Sequence, residues 1–241
     1  MTTTDTTATT MPGDIPARDG TAAAPGRARP GARPIRRAVW LLPLAAAVTA
    51  WATFEHQPDP SSQFTEWSEF VTTDRFLASH LLGSIVGQAI WILGAAAIAG
   101  LAVLAGRRIG TAIAGLTAMV LGGAGLIAGF GVAAFAQPAI GHLQLDGAPV
   151  AHVVYDDVYG IPTFVTLIGG SIVIAAATVL LARAVAAIDE VPRWAAVAFG
   201  AAGPLIFLGV AVGGLQTVGS LAGLVGGVAI AVAVGRSAAV R

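Results

Sequence analysis

Cysteine, lysine and asparagine are absent from the chain. Without cysteine there can be no disulfide, thiol nucleophile, cysteine zinc site or iron–sulfur cluster. Without asparagine there is no N-glycosylation sequon. All 13 basic side chains are therefore arginine. Charge is the next scarcity: charged residues make up 11% of the sequence, where a soluble globular chain carries roughly 25% to cover its surface. Most of this protein's surface therefore faces something other than water. The formal net charge is zero, which excludes the basic footprint of a nucleic-acid binder.

What the chain has in abundance is apolar. Hydrophobic residues reach 56% of the 241 positions, glycine alone contributes 31, and mean hydropathy is +0.79. The Ala, Gly and Arg bias fits a GC-rich coding genome and so a bacterium. Residues 1–34 are rich in Thr, Ala, Pro, Gly and Arg, with too few apolar side chains to offset the entropy of ordering. They read as a disordered cytoplasmic tail, followed by a transmembrane bundle over 35–241.

Crossing about 30 Å of hydrocarbon takes roughly 20 apolar residues in a helix. Six runs meet or approach that length: Ala38–Phe54, Leu77–Ala105, Ile109–Ala136, Ile161–Ala182, Ala195–Gly213 and Leu215–Val234. Helices are required, because lipid offers no partner to backbone N–H and C=O groups. The expected fold is thus an all-α, polytopic bundle of six transmembrane helices. With both termini cytoplasmic, the inner segments hold twelve of the thirteen arginines and leave only Arg75 outside. Positive charge in short loops sets orientation, so the split predicts that topology in a bacterial cytoplasmic membrane. Arg36–Arg37 before the first run, with Val48-Thr49-Ala50 after it, also fits a cleaved export signal. The long segment ahead of it favours a retained helix.

Two outer loops remain, at 55–76 and 137–160. In the first, Asp59-Pro60 has the form of a helix N-cap with proline at the first helical position. Phe64, Trp67 and Val71 follow at helical spacing, predicting a short amphipathic helix packed on the bundle. In the second, Asp146-Gly147 is a turn signal that fits either a small hairpin or a turn followed by a helix.

Candidate functional residues are few. Small residues four apart form flat faces suited to helix packing: Gly83 and Gly87, Gly125 and Gly129, Gly209 and Gly213, and Gly219, Gly223 and Gly227. They serve contacts within one bundle, or a face for a second copy or another membrane protein. Gly123-x-Gly125-x-x-Ala128 matches a dinucleotide-binding pattern, but no strand precedes it. No Asp or Glu lies in any of the six runs, which argues against ion-coupled transport. His80, Ser84 and Gln88 are spaced by four and form a polar stripe inside the bundle.

All four histidines, His56, His80, His142 and His152, fall on the predicted outer side. His142, His152, Asp156 and Asp157 are the candidate metal ligands, imidazole plus carboxylate suiting zinc, copper or iron. Their spacing matches no recognised metal motif. Ser61, Ser62, Ser68 and Ser79 lie near outer His and Asp residues, yet neither Gly-x-Ser-x-Gly nor His-Glu-x-x-His occurs. No catalytic residue is assigned, no cofactor is expected, and the chain does not read as an enzyme. The expected partners are the lipid bilayer and, through the glycine faces, another membrane chain. The leading expectation is a non-enzymatic scaffold or accessory subunit. The alternatives are a passive channel or permease for a small uncharged solute, and an extracytoplasmic metal binder.

Overall fold

The computed structural model describes residues 31–54, 57–209, 212 and 214–237. The tail over 1–30, together with Glu55, His56 and Gly213, lies outside the described residues. Helices α1 (Ala32–Ala38) and α2 (Leu41–Ala52) follow one another as the first long helix, Ala32–Ala52. Next come α3 (Phe64–Val71), α4 (Asp74–Ala78), a segment of wide π-type turns (Ser79–Val86) and α5 (Gly87–Ala105). The last three run on as one helix, Asp74–Ala105. Then follow α6 (Ile109–Leu145), α7 (Ala151–Val158), α8 (Ile161–Val185), α9 (Arg193–Leu208) and α10 (Leu215–Arg236). The described residues contain no strand.

Five of these helices are long and apolar enough to cross a membrane: Ala32–Ala52, Asp74–Ala105, Ile109–Leu145, Ile161–Val185 and Leu215–Arg236. The fifth expected run is different. Its helix spans Arg193–Leu208, 16 residues, or about 24 Å at 1.5 Å per residue. The glycine-rich stretch after Leu208 ends it before Gly213.

Close approaches fix the arrangement. A β-carbon on Gly94 would meet Leu42 and one on Gly87 would meet Thr49, so the first two long helices are antiparallel. By the same measure Gly123 meets Gln88 and Ile92, Gly115 meets Leu181, Gly203 meets Thr178, and Gly219 and Gly226 meet Ile206 and Phe199. Gly227 meets Pro43, which returns α10 to the first helix. The six helices therefore form a closed up-and-down ring, with α9 running antiparallel to both α8 and α10.

Antiparallel order sorts the charges. One end carries Arg33, Arg36, Arg37, Arg107, Arg108, Arg183, Arg193 and Arg236, with Asp189 and Glu190. The other carries Asp59, Glu66, Glu69, Asp74, Asp146, Asp156 and Asp157, with Arg75. We call these the arginine end and the acidic end. Inside the arginine half, Leu42, Ile98, Leu101, Leu181, Val185 and Ile230 belong to one buried apolar cluster.

At the acidic end a second cluster holds a small cap. Phe64, Trp67 and Val71 of α3 pack with Phe76, Ile140 and Ala151. The amphipathic helix thus docks on the bundle as its spacing predicts. Its start differs: Asp59 accepts hydrogen bonds from the Ser61 N–H (2.9 Å) and hydroxyl (2.8 Å) and closes a turn, while α3 begins after Gln63. The second loop is also more ordered than expected. Residues 137–145 continue α6 through Pro138, and the Asp146-Gly147 turn, with Gly147 at φ 74°, leads into α7. Of the two readings of that loop, turn followed by helix is the one seen.

Candidate functional site

The interior between the arginine-half core and the cap is a cavity of about 730 Å³ lined by all six helices of the ring. Its deep wall lies near the middle of the bundle. There Trp91 faces the cavity and rests on Phe199, ring centroids 5.9 Å apart. The Trp91 indole donates to the Thr49 hydroxyl at 3.3 Å, and that hydroxyl donates to the Ala45 carbonyl at 2.9 Å. A tryptophan at this depth needs a partner for its N–H, and the neighbouring helix supplies one.

The expected stripe of His80, Ser84 and Gln88 lines this cavity. Spacing by four found it even though Ser79–Val86 winds in wider turns than an α-helix, a geometry that is rare and recurs at functional sites. His80 Nδ1 lies 3.1 Å from the Phe76 carbonyl oxygen and its ring packs on the Phe76 ring at 4.0 Å. A carbonyl can only accept, so Nδ1 carries a hydrogen, and the Ser79 hydroxyl lies 3.3 Å from the same nitrogen. Gln88 is 7% exposed, and its amide nitrogen reaches Met119 Sδ at 3.8 Å, a weak acceptor.

Four further polar groups line the cavity that spacing by four does not join to the stripe. Thr49 and Thr53 come from the first helix, and Gln216 and Thr217 from α10. Thr217 donates toward the Thr53 carbonyl (3.1 Å) and lies 3.3 Å from its hydroxyl, binding the ring's first and last helices together. Isolated Thr and Gln in uniformly apolar helices carry no periodic signal, so only ring closure reveals that they share a cavity with His80.

Near the cap a second polar chain begins at the cavity wall. The Gln57 amide donates to Gln137 Oε1 at 3.5 Å, and the buried Gln137 amide donates to the Tyr159 hydroxyl at 2.5 Å. Burial pushes the Tyr159 phenol well above its ordinary range, opposed by the Gln137 bond and reinforced by Tyr155. Burial also raises Tyr155, with Asp59 and Asp156 adding to the effect.

The candidate metal ligands are dispersed in role. His152 stacks on Phe64 with centroids 3.8 Å apart, as part of an aromatic group with Trp67 and Tyr155. His142, Asp156 and Asp157 are exposed. Among the described residues no three His, Asp or Glu side chains come together as a metal site would require.

The glycine faces are occupied by this chain's own helices. A β-carbon on Gly83 would collide with Ala52, on Gly129 with Leu167 and on Gly209 with Gln216. On Gly87 it would sit 3.5 Å from Thr49 Oγ1, and on Gly125 3.4 Å from the Thr166 carbonyl oxygen. The run of three divides: Gly219 and Gly223 meet Ala202 of α9, whereas Gly227 meets Pro43 of the first helix, 3.0 Å from its nitrogen. Helix α10 is thus wedged between two neighbours.

No family model matches the chain, and no curated protein or solved structure is detectably similar to it.

Proposed function

We propose that this protein is a six-span integral protein of a bacterial cytoplasmic membrane, with both termini cytoplasmic, that admits a small uncharged solute to its cavity from the outer side. It acts as a carrier without catalysing a reaction. The observation that carries this reading is the cavity itself: among the described residues its polar groups are hydroxyls, amides, an imidazole and an indole, with no carboxylate or guanidinium. Polar groups kept at bilayer depth mark a ligand path more often than chance packing does. The buried apolar cluster in the arginine half argues against an open pore.

The closed ring supports counting α9 as a span, since an even number of antiparallel helices returns α10 to the side where α1 starts. The arginine distribution supports the orientation. The glycine faces that motivated a scaffold are spent on contacts within the chain, which leaves solute binding as the better-supported reading.

Uptake into proteoliposomes tests the function. Radiolabelled glycerol, urea and benzamide are compared with protein-free vesicles. We expect saturable entry of at least one, reduced in His80→Ala and Gln88→Leu. Entry of all three at the protein-free rate, or entry indifferent to both substitutions, overturns the reading. Orientation is tested separately with single cysteines. Ser62→Cys and Ala148→Cys should react with an impermeant maleimide on intact cells, and Ala187→Cys only after permeabilisation. The reverse pattern would invert the topology.

A further inference from the structure

The ring divides the cavity wall into two flanks of opposite chemistry. The first helix, the Asp74–Ala105 helix and α10 are contiguous in the ring, and from them come His80, Ser84, Gln88 and Gln216. The facing three, α6, α8 and α9, contribute Leu126, Phe130, Ile174 and Ile206. The hydroxyl on that apolar flank, Thr178, is already committed to its own chain, with the Ala175 carbonyl at 3.0 Å and the Gly200 carbonyl at 3.4 Å as acceptors.

The polar flank keeps hydrogen-bonding capacity in reserve. With Nδ1 of His80 donating to Phe76, Nε2 is left for a ligand and accepts when the ring is neutral. Gln88 has only the thioether of Met119 as its acceptor among the described residues. Neither the Ser84 hydroxyl nor the Gln216 side-chain amide makes a hydrogen bond among the described residues.

We infer that the occupant is a neutral amphiphile with hydrogen-bond donors and acceptors along one edge and an apolar opposite face. The inference rests on the reading of the cavity as a solute site and narrows the class of solute. A ligand polar all round would wet Leu126, Phe130, Ile174 and Ile206 and forgo their burial. A ligand apolar all round would strip water from His80, Ser84, Gln88 and Gln216 without replacing it. An ion would find no opposite charge among the described residues of the lining. The volume of about 730 Å³ falls in the ~300–1,000 Å³ range of sites that enclose drug-sized molecules, many times the ~30 Å³ of a water.

The chain has no cysteine, so Ser84→Cys in the full-length protein, reconstituted in vesicles, gives a single reactive thiol on the polar flank. Its alkylation by a water-soluble maleimide is timed in the presence of urea, benzamide or toluene at matched concentration. These probes are polar all round, amphiphilic and apolar. Benzamide is expected to slow the reaction severalfold, with urea and toluene having little effect. Adding Gln88→Leu should abolish the benzamide protection while leaving the unprotected rate in place. Protection by urea or toluene equal to that by benzamide overturns the two-flanked ligand class and leaves solute binding intact. A thiol that reacts only after denaturation, or at its unprotected rate with all three probes, overturns the solute site as well.

Discussion

Gly122 and Gly170 stand back to back across α6 and α8. A β-carbon on Gly122 would lie 2.8 Å from the Gly170 carbonyl oxygen, and one on Gly170 would lie 3.0 Å from that of Gly122. Both obstacles are backbone, so neither can swing aside. The contact replaces side-chain interdigitation with main chain against main chain, the close approach that small residues allow between helices in lipid.

Gly122→Ala should therefore force the two helices apart. Overpacking of this kind costs about 1–3 kcal/mol, which thermal unfolding in a mild detergent would register as a lowered Tm. Gly131→Ala, on the same helix but with open space at the β-carbon, should leave the Tm unchanged or slightly raised. Equal loss in both variants would show that glycine matters to α6 for some reason other than the Gly170 contact.

Gln137 joins Gln57 to Tyr159, and removing its amide strands a largely buried hydroxyl. Leaving a buried polar group unsatisfied costs about 1–3 kcal/mol. Gln137→Leu should destabilise by that order, and Gln137→Glu should be worse at neutral pH because it buries an ionised carboxylate at a position that is 7% exposed. Melting curves of the two variants check the order.

The phenols also give a pH dependence with a definite sign. Burial raises Tyr159 and Tyr155 above the usual value of about 10 that the unfolded chain retains. Below that value both states hold the proton, and the contribution to stability is complete. Above it the unfolded chain loses its protons first, so stability falls as pH climbs toward the folded-state values. Melting at pH 9 and pH 11, beside absorbance titration at 295 nm, should show late ionisation and a falling Tm. Tyr159→Phe should flatten the fall.

Phe64 is the hub of the cap, in contact with Trp67, Tyr155 and the His152 ring. Truncating a buried phenylalanine costs about 3–5 kcal/mol. In Phe64→Ala the loss should appear locally, as faster amide exchange in α3 and α7 with the ring helices still protected. Uniformly faster exchange would mean that cap and ring unfold as one unit.

Hydropathy made the helices legible, and spacing by four made part of the cavity legible through His80, Ser84 and Gln88. Amphipathic spacing was enough to place Phe64, Trp67 and Val71 against the bundle. Other features needed three dimensions. Asp59 has the chemistry of an N-cap, but its carboxylate is satisfied by Ser61, and local turn closure won over helix initiation. The end of the apolar run at Ala136 and the Asp146-Gly147 turn suggested a loop over 137–160, with Pro138 at its start. Yet a proline removes a single N–H from a helix already well packed on both sides, and α6 runs on to Leu145. The partners of each glycine could not be read, because a face of small residues records closeness without recording to what.

Helix α6 is 37 residues long, about 55 Å at 1.5 Å per residue, and so exceeds the ~30 Å hydrocarbon thickness. The part beyond carries Ile140 and Gly141, on which the cap is seated. The cap's height above the bilayer and the direction it faces are consequently one variable, counted in residues along a rod. Deleting a single residue between Ala133 and Pro138 would lower the cap by about 1.5 Å and swing it by about 100°. That rotation would carry the cap, and the Phe70 side chain with it, away from the cavity while leaving the lining residues of the six ring helices unchanged.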